Sequence, residues 1–137
     1  MTAEASDHFA TIRAALAQLP GVELALVFGS RATGRAGPNS DLDLAVEASG
    51  VDLFALAGDL SAKLGVEVDV ISLAEASVPL LHQLVRDSSV VYEGVRGRAA
   101  SWRVRALCEL ETDLPWFRRM RDAWLTRVSE RGFADGR

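Results

Sequence analysis

One cysteine, two histidines and no apolar run near the roughly 20 residues that span a bilayer define what this sequence does without. The lone Cys108 excludes an internal disulfide framework and fits a reducing cytosol, where it is expected as a small buried apolar side chain on a helix. His8 and His82 have no Cys, His or acid at ligand spacing, so neither reads as a zinc ligand or a proton shuttle. The serines lack any His and Asp company that would make one a nucleophile. The opening MTAEASDHF is acidic where a secretory signal would be basic and then apolar, and a cytoplasmic protein with no membrane attachment is expected. Internal repeats and low-complexity segments are also lacking.

Charge is present, but unevenly. The formal net charge is -4; residues 1–93 hold 13 acids and 5 bases, net -8, while residues 94–137 hold 10 bases and 6 acids, net +4. An acidic body with a basic tail is poorly suited to clamp phosphate backbones through its main face, so no direct nucleic-acid binding is expected. With 137 residues the chain makes one globular unit, divided here into a core, 1–93, and a basic helical extension, 94–137, that packs on the core or docks a partner.

The periodicities define the elements. SDHFATIRAALAQL places Phe9, Ile12, Leu16 and Leu19 on one helical stripe, with Ser6 or Asp7 as its cap. VELALVF is apolar at nearly every position and reads as a strand buried on both faces. After a loop with Gly34, Gly37 and Pro38 comes DLDLAVE, where Leu42, Leu44 and Val46 face one way and Asp41, Asp43, Ala45 and Glu47 the other. A helix from an Asp52 cap to Gly65, a strand EVDVIS, a helix capped by Ser77 with Pro79 in its first turn, and a strand VVYEG follow. The chain turns helical again from Arg98, and the spacing predicts a kink or restart at Thr112 to Pro115 before a stripe of Trp116, Met120, Trp124 and Val128. Trp102, Trp116 and Trp124 read as packing or interface residues. The fold class is α/β (α+β), a small mixed sheet flanked by helices with a C-terminal helical tail.

Two aspartates inside an apolar strand pose the chemical question. Asp41 and Asp43 share one face with Cα atoms about 7 Å apart, and burying such charges is costly without a partner. Oxygen ligands with no nearby His or Cys favour Mg²⁺ over zinc. Asp69, flanked by Val68 and Val70, can join them from an adjacent strand, with Glu67 on the same face as its rival. Gly29-Ser30 ends a buried strand in a turn whose N–H groups and hydroxyl suit a phosphate, and Arg31 beside it can meet the same anion.

GSRATGRAGPNSDLDLAV resembles the signature of the nucleotidyltransferase superfamily typified by DNA polymerase beta: Gly-Ser, a spacer, Asp-x-Asp, then a third carboxylate on a later strand. The short chain, the GSRATG turn and the SDLDLAV strand resemble in particular the minimal nucleotidyltransferases of the MNT type, antitoxins that accompany HEPN-domain toxins. The resemblance covers roughly residues 22–93. It implies that Gly29 and Ser30 bind the triphosphate, that Asp41 and Asp43 hold Mg²⁺, two ions in all, and that Asp69 is the third ligand or general base. It further implies ATP as substrate, a cognate HEPN toxin as partner in a hetero-oligomer, and transfer of AMP to a hydroxyl of that toxin, a tyrosine in the first instance. Two other readings remain open: the same chemistry on a small molecule such as an aminoglycoside, for which 44 residues of tail leave little room to build a pocket, or neutralisation of the toxin by binding alone.

Overall fold

The computed structural model describes residues 3–29 and 41–131. In chain order it contains α1 (Ala3–Ala17), β1 (Val22–Phe28), β2 (Leu42–Ala48), α2 (Leu53–Leu64), β3 (Val68–Ser72), a 3₁₀ turn at Leu73–Glu75, α3 (Val78–Asp87), β4 (Ser89–Glu93) and α4 (Arg98–Arg131). The four strands form one sheet in the order β3-β2-β1-β4. β1 runs antiparallel to β2 and β4, and β2 runs parallel to β3, so the sheet is mixed.

Alternation along the strands divides the core in two. Ala25 and Val27 of β1, Leu42, Leu44 and Val46 of β2, and Val68 of β3 pack with Phe9, Ile12 and Leu16 of α1 and Leu56 and Leu60 of α2. The opposite face gives Leu24, Leu26 and Ala45 to Leu81, Leu84 and Val85 of α3 and to Trp102, Ala106 and Leu110 of α4. Helices therefore cover both sides, which is why β1 carries apolar residues at almost every position. Arg13 of α1 donates from Nε to the Val91 carbonyl at 3.0 Å and ties that helix to β4.

The helix ends follow the expected chemistry in most places. Asp52 accepts from the Phe54 and Ala55 N–H groups at 3.0 and 3.2 Å, and Gly65 closes α2 with φ 70°. Ser77 accepts from the Leu80 N–H at 3.4 Å, and α3 carries proline in its first turn. α1 differs: it starts at Ala3, so Ser6 and Asp7 lie inside the helix, and the Asp7 carbonyl accepts from the Thr11 hydroxyl at 3.0 Å.

α4 brings two further corrections. It is a single 34-residue helix with Pro115 inside it, not two helices meeting there. Proline removes one N–H and leaves the hydrogen bonds on either side to carry the helix through. Cys108 is exposed rather than buried. Trp102, Ala106 and Leu110, four residues apart, face the core, and a residue midway between Ala106 and Leu110 falls on the opposite side of the helix.

The start of α4 is fixed by ionic contacts. The Arg98 guanidinium forks onto both carboxylate oxygens of Glu47 on β2, and Glu93 accepts from the Ala99 N–H at 2.8 Å. The hydrogen bond to Glu47 raises the Arg98 pKa, so the pair stays charged. With most of both side chains removed from water, replacing Arg98 by alanine strands a partly desolvated carboxylate against the sheet. Arg98→Ala is expected to lower unfolding stability by about 1–3 kcal/mol, read as a fall in the urea midpoint with the slope unchanged. A midpoint within error of wild type would mean that the apolar contacts of Trp102 and Leu110 alone anchor the helix.

Candidate active site

β2 sits between an antiparallel and a parallel neighbour, and that placement assembles the acidic site. On one side Asp43 pairs with Phe28, the last residue of β1, so Gly29 follows directly beside it. On the other side Asp43 pairs in register with Asp69 of β3. Phe28, Asp43 and Asp69 thus form a row across three strands, each step about 4.8 Å, with Gly29 next in the chain after Phe28. Asp41 stands just before β2, two residues ahead of Asp43, and is exposed. Asp43 lies on the same face as Ala45, the face covered by α3 and α4 farther along, and is half-buried while Asp69 is exposed.

The Asp43 pKa is raised, first by burial and then by the negative charges of Asp69 and Asp41. Among the described residues no ion pair reaches any of the three. Asp69 prevails over Glu67 on this geometry, because it is the residue in register with Asp43 and the one whose charge raises its pKa.

Gly29 is tied to the site for a reason of its own. Its φ is 79°, a conformation that L side chains rarely adopt, and a Cβ built there would lie 2.6 Å from Asp43 Oδ2. The missing side chain therefore leaves room for the Asp43 carboxylate itself. Ser30 and Arg31 lie outside the described residues.

A hard divalent cation fits this donor set. The three acids offer only oxygen ligands, and the raised Asp43 pKa marks negative charge that a cation would neutralise. Among the described residues no group of three or more His, Cys, Asp and Glu is gathered closely enough to enclose an ion. Mg²⁺ is ordinarily held by one or two carboxylates together with substrate phosphates rather than by a protein cage, and Asp41 and Asp43 supply that number.

One feature of the site escaped the sequence reading. A groove opens on Asp43 and Asp69 and runs between β3 and the Phe54, Ala57, Gly58 and Ser61 positions of α2. The signal was present, since Phe54 stands off the Leu53, Leu56, Leu60 and Leu64 stripe that packs α2, but an exposed aromatic has no motif to announce it.

Comparison with known proteins agrees with this geometry. The family model for polymerase beta nucleotidyltransferases matches residues 10–96. Among solved structures, the chain is similar to one from a toxin–antitoxin complex with AMP-PNP, at 23% identity, TM-score 0.69, covering 93% of this chain and 99% of that one. It is also similar to one from a tri-AMPylated Shewanella oneidensis HEPN toxin in complex with its MNT antitoxin, at 22% identity, TM-score 0.69, covering 91% and 98%. A third, from the MntA–HepT toxin–antitoxin pair, has 23% identity and TM-score 0.68, covering 90% and 98%. These likenesses show the fold. A search of curated proteins finds no match.

Removal of the central charge should stabilise the ion-free protein. Because the Asp43 pKa is raised by folding, its ionised form destabilises the fold above that pKa, and the penalty fades as the pH falls through it. Asp43→Asn is therefore expected to raise Tm at pH 7 without divalent ions, with the gain shrinking as the pH is lowered into the carboxylate range. A variant that melts below wild type at pH 7 would show that the carboxylate holds the strands together instead.

Proposed function

Because the chain belongs to the polymerase beta nucleotidyltransferase family, we propose that it transfers AMP from ATP to a hydroxyl, a tyrosine in the first instance, of a cognate HEPN-domain toxin and so acts as its antitoxin. The observation that carries this reading is the register of Asp43 with Asp69 on neighbouring strands, with Asp41 two residues ahead on the approach to β2 and the Gly29 turn against the Asp43 carboxylate. The AMP-PNP bound in one similar complex and the AMPylated toxin in another support ATP as the donor and a HEPN protein as the acceptor. Neutralisation by binding alone is disfavoured, because a chain that only binds has no use for two acids in register with a third two residues away.

The chemistry divides among this chain's own residues. The turn after β1, at Gly29, lies where phosphate oxygens meet backbone N–H groups, with Ser30 and Arg31 next in the chain. Asp41 and Asp43 hold Mg²⁺, which supplies neutralisation of phosphate charge and a lowered pKa for the attacking hydroxyl when bound. Asp69 lies one strand farther and takes the proton from the acceptor hydroxyl. The acceptor oxygen forms its bond to the α-phosphorus, the bond from that phosphorus to the bridging oxygen breaks, and pyrophosphate leaves with the electron pair. Asp41→Asn and Asp43→Asn are each expected to lower the rate of AMP transfer at saturating Mg²⁺ by about 100-fold or more while leaving a folded protein, read by the mass of the toxin after incubation with ATP. Near-normal transfer by either variant would remove that residue from the machinery.

The basic helix supplies the docking surface in this reading. Leu110 is the last buried residue of α4 among the described residues, and residues 111–131 continue for about 30 Å beyond it. Trp116 is 56% and Trp124 50% exposed, with Met120 and Leu125 open beside them and Arg118, Arg119, Arg121 and Arg127 around the same turns. Aromatic, Met and Arg side chains together are the composition of an interface core, and the +4 extension suits an acidic face on the toxin. Truncation before Thr112 is expected to abolish toxin capture while preserving the fold and ATP binding, measured by size-exclusion chromatography and calorimetry. Normal toxin binding by the truncated chain would place docking on residues 1–93.

A further inference from the structure

The groove beside the acids has a volume of about 670 Å³ and two unlike walls. One wall is β3, an edge strand whose far side no other strand covers among the described residues. The other is the face of α2 that does not pack. Phe54, at its first turn, is 89% exposed, and a Cβ built on Gly58 meets nothing within 4 Å. Phe54 stands off the leucine stripe that packs α2, so its ring is open to a ligand entering the groove it lines. Glu67, Asp69 and Asp43 make the groove acidic along its length.

Position relative to Asp43 defines what the groove can receive. Gly29 lies on the β1 side of Asp43, and the groove lies on the β3 side, past Asp69. Phosphoryl displacement requires the attacking and departing oxygens on opposite sides of the phosphorus. With the departing phosphates at Gly29, the attacking hydroxyl must arrive from the Asp69 side, and the groove is the open space there.

We propose that this groove seats the acceptor: a segment of the partner protein that carries the hydroxyl-bearing aromatic side chain, with basic residues flanking it. This rests on the transfer reading above. Phe54 grips the segment by stacking against its side chains, the acids attract its basic neighbours, and the hydroxyl comes to rest at Asp69. Phe54 is thus a specificity-determining residue, and the absence of a side chain at Gly58 keeps the groove open.

Steady-state AMP transfer to a purified HEPN-domain toxin that the chain binds tests the assignment, with AMP-PNP affinity measured by calorimetry in parallel. Phe54→Ala is expected to raise the KM for the toxin about tenfold or more with kcat little changed, the signature of lost binding in ground and transition states alike. Gly58→Leu fills the groove from a position with free space and removes a helix-weakening glycine. It is expected to lower kcat/KM for the toxin by a similar factor while the fold remains at least as stable. Both variants are expected to bind AMP-PNP within twofold of wild type. A toxin KM unchanged in both variants, or a loss of AMP-PNP affinity parallel to the loss of transfer, would overturn the acceptor assignment. A wild-type chain that binds AMP-PNP but transfers no AMP to the toxin would overturn the transfer reading and the acceptor groove with it.

Discussion

Parallel pairing of β2 with β3 sets Asp43 in register with Asp69, with Asp41 two residues ahead, and the partial burial of Asp43 beside these two charges, which together raise its pKa, is the constraint around which this end of the sheet is arranged. A sheet can hold such a cluster only at its end, where one face remains open to water. The apolar alternation of Leu42, Leu44 and Val46 holds β2 in register from the other face, so the acids have no freedom to slip apart. A shift of one residue would exchange the aspartates with the leucines and bury the charge. The hydrophobic core thus enforces an electrostatic arrangement that is unfavourable in itself, which is the form expected of a site made for a cation and a polyphosphate.

The same strand connects this site to the basic helix. Glu47, four residues beyond Asp43 on the same face of β2, receives both arms of Arg98 at the first turn of α4. Trp102, Ala106 and Leu110 then lock that helix onto the face that carries the acids. Whatever grips the far end of α4 is therefore held at a set distance from Asp43 by a rigid helix and a fixed ion pair. The acids and the exposed far end of α4 are joined through one strand rather than through a flexible linker.

Local signals in the sequence carried much of this. β1 and α2 run as the periodicity and caps indicated, because apolar spacing, Asp52 and Gly65 are local features. Spacing along one strand and the strand-to-strand distance bring Asp41, Asp43 and Asp69 within reach of one another, while the register of Asp43 with Asp69 comes only from the parallel pairing. The Gly-Ser turn is legible locally, but the closeness of Gly29 to the Asp43 carboxylate is a contact between segments that no local pattern encodes. At Pro115 the restart does not occur, because proline penalises a helix locally while bonded turns on both sides carry α4 past it. The groove at Phe54 and the Arg98–Glu47 pair arise from tertiary approach, and neither has a sequence signature.

The central claim is that Asp41, Asp43 and Asp69 form one cation and nucleotide site at the end of the sheet. Anomalous diffraction from crystals grown with Mn²⁺ and AMP-PNP tests it most directly. The account predicts Mn²⁺ density in contact with the Asp41 and Asp43 carboxylates, with the phosphates of AMP-PNP against the turn at Gly29. Mn²⁺ bound elsewhere, or a nucleotide whose phosphates lie away from that turn while all three acids remain without an ion, would contradict it.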